Sequence, residues 1–368
     1  MNSPAPHKEE IDACRATSVA SNKGTLLSSG RIRVKLLKTD PEKDLLHCVT
    51  VDASHHEIIV KQEITREKNG PTQWIEIFRE GVQLNLIDCD VDKNGQYIPK
   101  LIVLEPDYLI DASAIAECFQ DYEVTPLHYF RNRLEEKENR SYLLLGNLAN
   151  FFLDELVYAG NTESVSFNDV FLRSFKQSPF EYTSCEEIRS DGDFRTFMLK
   201  AKDQFEQIKR VIRDDFQKNG IDVHYCTLEP SFFSEHFGFQ GRLDLLYLPP
   251  EGKEAKIVEL KSGRLPFPAY DPTRIASNHE VQTTVYRMMV EGVFGKETRH
   301  VDAAILYSAA DRPGENLRFA AASDELIKKI IQLRNQIVAI EQGIIHGDNS
   351  RVATLFEALL SVDSSQRV

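Results

Sequence analysis

From Arg31 to Leu104 apolar residues recur at every second position in short runs, RIRVKLLK, LLHCVTVD, HEIIVKQE, QWIEIFRE, QLNLIDCD and QYIPKLIVL, parted by clusters of Asp, Gly, Pro and Asn. A period of two belongs to strands with one buried face, and short strands at this spacing predict a small β-barrel of the OB kind or a sandwich. Such barrels grip single strands by stacking bases on aromatic rings. Trp74, Phe78 and Tyr97 are the candidates, although rings at strand spacing are more often core. His55 and His56 would face opposite sides of a strand and make a poor metal pair.

Beyond Glu105-Pro106-Asp107 the period lengthens to that of helices. DASAIAECF and PLHYFRNRLEEK lead into SYLLLGNLANFFLDELVYAG, where Leu144, Leu148, Phe152 and Leu156 form one stripe; Ser141 is its expected cap, Gly160 its stop and Gly146 a point of close approach. On a neighbouring face Asn150 and Asp154 lie four apart, either aimed at a site or simply solvated. A second long helix is expected from about Phe194 to Lys218, its buried stripe Phe197, Ala201, Phe205, Ile208 and Ile212, ended by Asn219-Gly220. Ser277 and Glu280 read as a capping box opening SNHEVQTTVYRMMVEGVFG, with Val281, Val285 and Met288 buried and His279, Gln282 and Tyr286 on another face. HVDAAILYSAA reads as a sheet strand and DELIKKIIQLRNQIVAIEQG as a closing amphipathic helix.

Chemistry concentrates in GRLDLLYLPPEGKEAKIVELKSG, residues 241–263. Two apolar runs around Pro-Pro-Glu-Gly predict a β-hairpin, with one face of its second strand in the core and the other carrying Glu259 beside Lys261. Glu-x-Lys alone means little, since Glu135/Lys137, Glu251/Lys253 and Glu254/Lys256 repeat it in polar runs. Only Glu259/Lys261 is set in an apolar strand after a Gly-x-x-Asp at hairpin distance, where a charged pair is costly to bury unless it is used. Asp244 is then the second acidic ligand. Two carboxylates beside a lysine suit magnesium or manganese and the hydrolysis of phosphodiesters, with a plain structural ion pair as the competing reading. Glu229, delivered by IDVHYCTLEP, is placed to approach the metal or brace the motif.

Composition narrows the picture. A chain of 368 residues suits two or three domains, and no run of eighteen apolar residues or signal peptide is present, so a cytoplasmic protein without membrane contact is expected. Six scattered cysteines without a Cys-x-x-Cys pair read as buried thiols rather than zinc ligands or a disulfide framework. A net charge of −13 argues against a surface that attracts nucleic acid all over, so any binding groove must be local.

GRLD, VELKSG and QTTVY in that order resemble the RecB-type branch of the PD-(D/E)XK nuclease superfamily; EPSFFSEHFGFQGRLDLLYL, VELKSGRLP, HEVQTTVYRMMV and AILYSAA are similar to the nuclease domain of replication helicase/nucleases, which trim flaps and resect ends. The resemblance implies metal ligation by Asp244, Glu259 and the Leu260 carbonyl. It also implies Lys261 as the residue that orients or activates water, and Gln282 and Tyr286, with His279 beside them, as substrate contacts. In that family a histidine usually stands four residues after the helix glycine; here the position is Asn150, a weaker fourth metal ligand. Family members often carry an iron–sulfur cluster. Cys118 lies near the first of its positions, but no cysteine follows Cys226, so no cluster is expected. No Gly-x-x-x-x-Gly-Lys-Ser/Thr loop occurs, so a helicase motor would be a further domain or a partner subunit.

The expected organisation is a disordered tail over 1–27, an OB-like β-barrel over 28–104, a restriction-endonuclease-like α/β core with a central mixed sheet flanked by helices over 105–350, and a tail or linker over 351–368. The expected function is a Mg2+- or Mn2+-dependent deoxyribonuclease on single-stranded or flap DNA in replication and repair. The competing readings are a catalytically impaired DNA-binding or assembly module and an RNA-directed nuclease.

Overall fold

The computed structural model describes residues 30–61, 77–136, 138–250, 253–294 and 300–347, with Ala353 and Glu357. Period-two runs at the start become β1 (Arg31–Asp40), β2 (Leu45–Thr50), β3 (Glu57–Lys61), β4 (Gln83–Val91) and β5 (Tyr97–Leu104). They close into a five-stranded barrel in the order β1-β2-β3-β5-β4. Every second residue of β1, Ile32, Val34 and Leu36, is buried, as are Leu46 and Cys48 of β2, and closure leaves no unpaired edge. The run QWIEIFRE adds no described strand: its first part lies outside the described residues, Trp74 included, and 77–80 is not sheet. Phe78 is only 5% exposed and fills the barrel core, which removes it as a ring on which bases could stack. Tyr97 is half-buried against the same core. His55 and His56 sit in the β2–β3 turn rather than on a strand, His55 with a φ of 44°.

After the barrel come β6 (Ile110–Asp111) and the helices α1 (Ala112–Ala116), α2 (Leu127–Leu134), α3 (Ser141–Tyr158), α4 (Phe167–Gln177), α5 (Pro179–Ser184) and α6 (Asp191–Arg210). The Leu144, Leu148, Phe152 and Leu156 stripe of α3 is buried, each side chain contributing about 1.5–3 kcal/mol relative to exposure. Ser141 does not cap this helix. It is the first helical residue, and its N–H and hydroxyl donate to Glu187, from the 3-10 turn Glu186–Ile188. Helix α6 starts earlier than Phe194 because Ser190 accepts from the Asp193 N–H, and it runs on through a π-turn at Val211–Asp215 to a stop at Gly220 with φ 66°.

The remaining strands are β7 (Cys226–Leu228), β8 (Ser231–Ser234), β9 (Phe239–Arg242), β10 (Leu245–Tyr247), β11 (Glu254–Lys261), β12 (His300–Tyr307) and β13 (Leu317–Ala320); α7 (Ser277–Phe294) connects β11 to β12, and α8 (Asp324–Ile345) ends the fold. A mixed sheet runs β13-β12-β11-β10-β7, and β6-β9-β8 form a small second sheet. β10 and β11 pair antiparallel, as the hairpin reading requires, whereas β11 and β12 run parallel in register from Glu254↔His300 to Lys261↔Tyr307.

The expectation of one covered face on β11 is corrected. Ile257 joins the core shared with α7, α8 and the barrel, while Val258 and Leu260 join the core built by α3, α4 and α6. The crossover helix α7 covers one face and α3, α4 and α6 cover the other, and a strand buried on both faces reads as a nearly unbroken apolar run. Among the described residues no helix is long and apolar enough to cross a membrane.

One buried cation joins the halves. The Arg334 guanidinium of α8 donates to the carbonyls of Gly238, Leu104, Glu105 and Tyr108, and Asn335 accepts from Leu104 N–H and donates to the Ile102 carbonyl. Gly238, with φ 70°, leaves room: a Cβ there would run into the guanidinium.

Candidate active site at the end of the central strand

The last three residues of β11 carry the chemistry. Alternation sends Glu259 and Lys261 to the α7 face and Leu260 to the α3 face. Glu259 is 4% exposed. Its Oε1 accepts from the Lys261 ammonium at 2.9 Å and from the Gln282 amide at 2.7 Å, while Gln282 Oε1 accepts from Lys261 at 2.8 Å. Carboxylate, ammonium and amide thus close a triangle. Tyr286, one turn further along α7, accepts from Gln282 at 3.0 Å and donates to the Arg242 carbonyl at 2.9 Å. Gly241 must lack a side chain for this ring to fit, since a Cβ would lie 2.9 Å from Tyr286 Cε1 and 3.2 Å from Ala112 Cβ.

Asp244 stands one residue before the ladder between β10 and β11 begins at Leu245↔Val258. Its Oδ2 therefore accepts from the Leu260 N–H, at 2.7 Å, in place of a strand carbonyl. On the opposite edge Ser308 N–H donates to the Lys261 carbonyl. By alternation the Leu260 carbonyl leaves the strand on the Asp244 side.

Charge is crowded here. Burial first, then Glu259 and also Asp154, lift the Asp244 carboxyl well above the usual range, against the Leu260 N–H and Lys261. Burial alone would lower Lys261, but Glu259 and Asp244 outweigh it and hold the ammonium charged. Asp154 of α3 is pushed up to about 7 by burial and by Glu229, with Arg242 opposing. Arg242 Nη1 reaches Glu229 at 3.3 Å.

The eight sequence candidates separate into groups. Glu259, Lys261, Gln282 and Tyr286 form one hydrogen-bonded unit, and Asp244 with the Leu260 N–H of the same strand forms a second beside it. His279 shares neither: its Nδ1 lies 2.9 Å from the Tyr307 hydroxyl, and burial pushes the ring down to about 3, which keeps it neutral. Asn150 comes from α3, with Oδ1 buried and without a partner among the described residues. One turn earlier a Cβ on Gly146 would lie 3.5 Å from Ser262 Oγ, so this helix lies against the residue after Lys261. Arg242, Ser262 and Tyr307 were not foreseen. Each acts through contacts made by folding, although Arg242 and Ser262 adjoin the motifs in the chain.

A divalent cation fits these residues. Glu259 Oε2 is buried with no partner among the described residues, a costly state that a cation relieves together with the crowding at Asp244. Two carboxylates, the Leu260 carbonyl and the Asn150 amide oxygen are hard oxygen donors of the kind magnesium and manganese take. Among the described residues no three His, Cys, Asp or Glu side chains form a metal cluster by themselves, so backbone or amide oxygen and water must complete the shell.

The sequence pattern of the PD-(D/E)XK nuclease superfamily matches residues 119–356. The chain belongs to this superfamily, whose members are generally nucleases that use divalent metal ions. Comparison with curated proteins gives no match. The matched span begins at Phe119, so the barrel precedes it.

Proposed function

We propose that this protein is a Mg2+- or Mn2+-dependent deoxyribonuclease acting on single-stranded or flap DNA in replication or repair. The observation that carries the reading is the closed Glu259–Lys261–Gln282 triangle beside Asp244, with Glu259 Oε2 left open. Asp244, Glu259 and the Leu260 carbonyl hold the metal, with Asn150 as a fourth donor. When bound, the metal polarises the scissile phosphate and acidifies water.

Lys261 holds its ammonium where negative charge grows on the phosphate oxygens and orients the attacking water. Gln282 keeps Lys261 and Glu259 at fixed separation, and Tyr286 braces Gln282 against the Arg242 carbonyl. The resemblance puts Gln282 and Tyr286 on the DNA backbone; their inward hydrogen bonds support a positioning role. His279, bonded to Tyr307, stands beside these residues on α7 and in this reading forms part of the wall along which the substrate lies. Coupling to a helicase domain or subunit belongs to this reading on the strength of the sequence resemblance, and a cytoplasmic setting is proposed with it.

Asn150, where the family pattern has a histidine, favours the second reading of a DNA-binding module with impaired cleavage. Labelled single-stranded DNA incubated with magnesium or manganese separates the two. Metal-dependent products that vanish in Glu259→Ala and Lys261→Ala support the nuclease; binding without products under either metal supports the module. A parallel RNA substrate tests the choice of sugar.

A further inference from the structure

The loop that leaves β11 carries two rings into solvent. Phe267 and Tyr270 are each 84% exposed, in a segment RLPFPAYDPTR that begins three residues after Lys261. Its base is fixed. Leu265 and Ile275 pack on Ile305, Tyr307 and Ala320, Pro266 is buried, and Arg318 Nη1 donates to the Arg274 carbonyl. Within the turn Asp271 Oδ1 accepts from the Thr273 N–H and hydroxyl. An apolar tip on a pinned base is pre-organised, so a ligand that covers the rings loses little loop entropy on binding.

Two further observations say what covers them. The segment holds Arg264 and Arg274 against the single acid Asp271, in a chain whose net charge is −13; Arg264 makes no ion pair among the described residues, and Arg274 leans on Asp121 at 3.5 Å. Tyr122, the neighbour of Asp121, is itself 79% exposed, so a third ring follows the contact at the loop's far end. Rings interleaved with cations match unpaired bases on a phosphate backbone, whereas the stacked bases of a duplex offer no free face. Phe267 lies six residues beyond Lys261, a reach of at most about 20 Å, or a few nucleotides.

We propose that residues 264–274 grip single-stranded DNA next to the candidate active site, with Phe267 and Tyr270 stacking on bases and Arg264 on the backbone. This rests on the nuclease reading for its ligand, and it places base stacking in this loop, whereas in the barrel Phe78 is buried and removed from that role.

The test is fluorescence anisotropy of labelled oligo-dT of about thirty nucleotides, a span that covers several stacking sites, with the full chain in EDTA so that nothing is cut. Phe267→Ala with Tyr270→Ala should weaken binding at least about tenfold, leave the melting temperature unchanged because both rings are exposed, and leave affinity for a blunt duplex unchanged. Tyr270→Phe keeps the ring face and should bind as wild type, while Tyr270→Leu should not. Unchanged oligo-dT affinity in the double variant, equal loss on duplex, or no oligo-dT binding by wild type overturns the proposal. A separate cleavage assay with magnesium or manganese keeps the two readings apart. Cleavage with unaltered binding in the loop variants rejects the loop and keeps the nuclease, whereas loop-dependent binding without cleavage does the reverse.

Discussion

Asp244 shows how a single side chain can be useful and destabilising together. Its carboxyl is raised by burial and by Glu259 while it still accepts from Leu260 N–H. Asp244→Asn keeps an acceptor of the same shape and removes the repulsion, so it should stabilise the metal-free protein by about 1–2 kcal/mol in urea titrations while abolishing cleavage. Magnesium should raise the melting temperature of wild type and not of the variant. Gly241 acts by having no bulk. Gly241→Ala should push the Tyr286 ring off Gln282, destabilising by about 1–3 kcal/mol and lowering cleavage by more than the loss of folded protein explains, measured by thermal melts beside an initial-rate assay. Asp244, Glu259 and Lys261 were legible in the residues because a charged pair in an apolar strand demands a use. What Gln282 and Tyr286 touch was not, because spacing on a helix shows which side chains share a face but not what lies opposite.

Among the elements, helix starts give the sharpest contrast between local text and folded structure. Ser277 and Glu280 read as a capping box, yet the Ser277 N–H and hydroxyl donate to Asp121, carried in by the loop before α2. Asp121→Ala should therefore cost about 1 kcal/mol, the usual worth of a cap, while Glu280→Ala should cost far less; chemical denaturation of the two variants decides it. Glu187 plays the same part for α3. Apolar periodicity was enough to find α3, α6, β12 and α8, since burial stripes are local. Caps supplied by distant residues leave no trace in a window of neighbours, and neither does cover on both faces of β11, which depends on helices about a hundred residues apart in the chain.

At the scale of the whole molecule Arg334 is the joint. Arg334→Met leaves the carbonyls of Gly238, Leu104, Glu105 and Tyr108 short of a donor, and a loss of about 3–5 kcal/mol is expected by urea unfolding. The same seam holds His236, whose backbone carbonyl accepts from Asn85 of the barrel. Burial, with Arg31 adding, pushes its imidazole down to about 4. The unfolded chain takes that proton near pH 6.5, so this contribution is complete above about pH 6.5, falls as pH drops towards about 4 and is then flat, at most about 3 kcal/mol in all. His236→Gln should flatten the dependence of unfolding free energy on pH across that window relative to wild type.

The guanidinium cage has a mechanical corollary. A barrel bolted to the closing helix through its own last strand cannot swing like a tethered module. Any filament lying across both halves would meet a rigid track, and the spacing between where it is held and where it is cut would be set by the protein, like marks on a ruler.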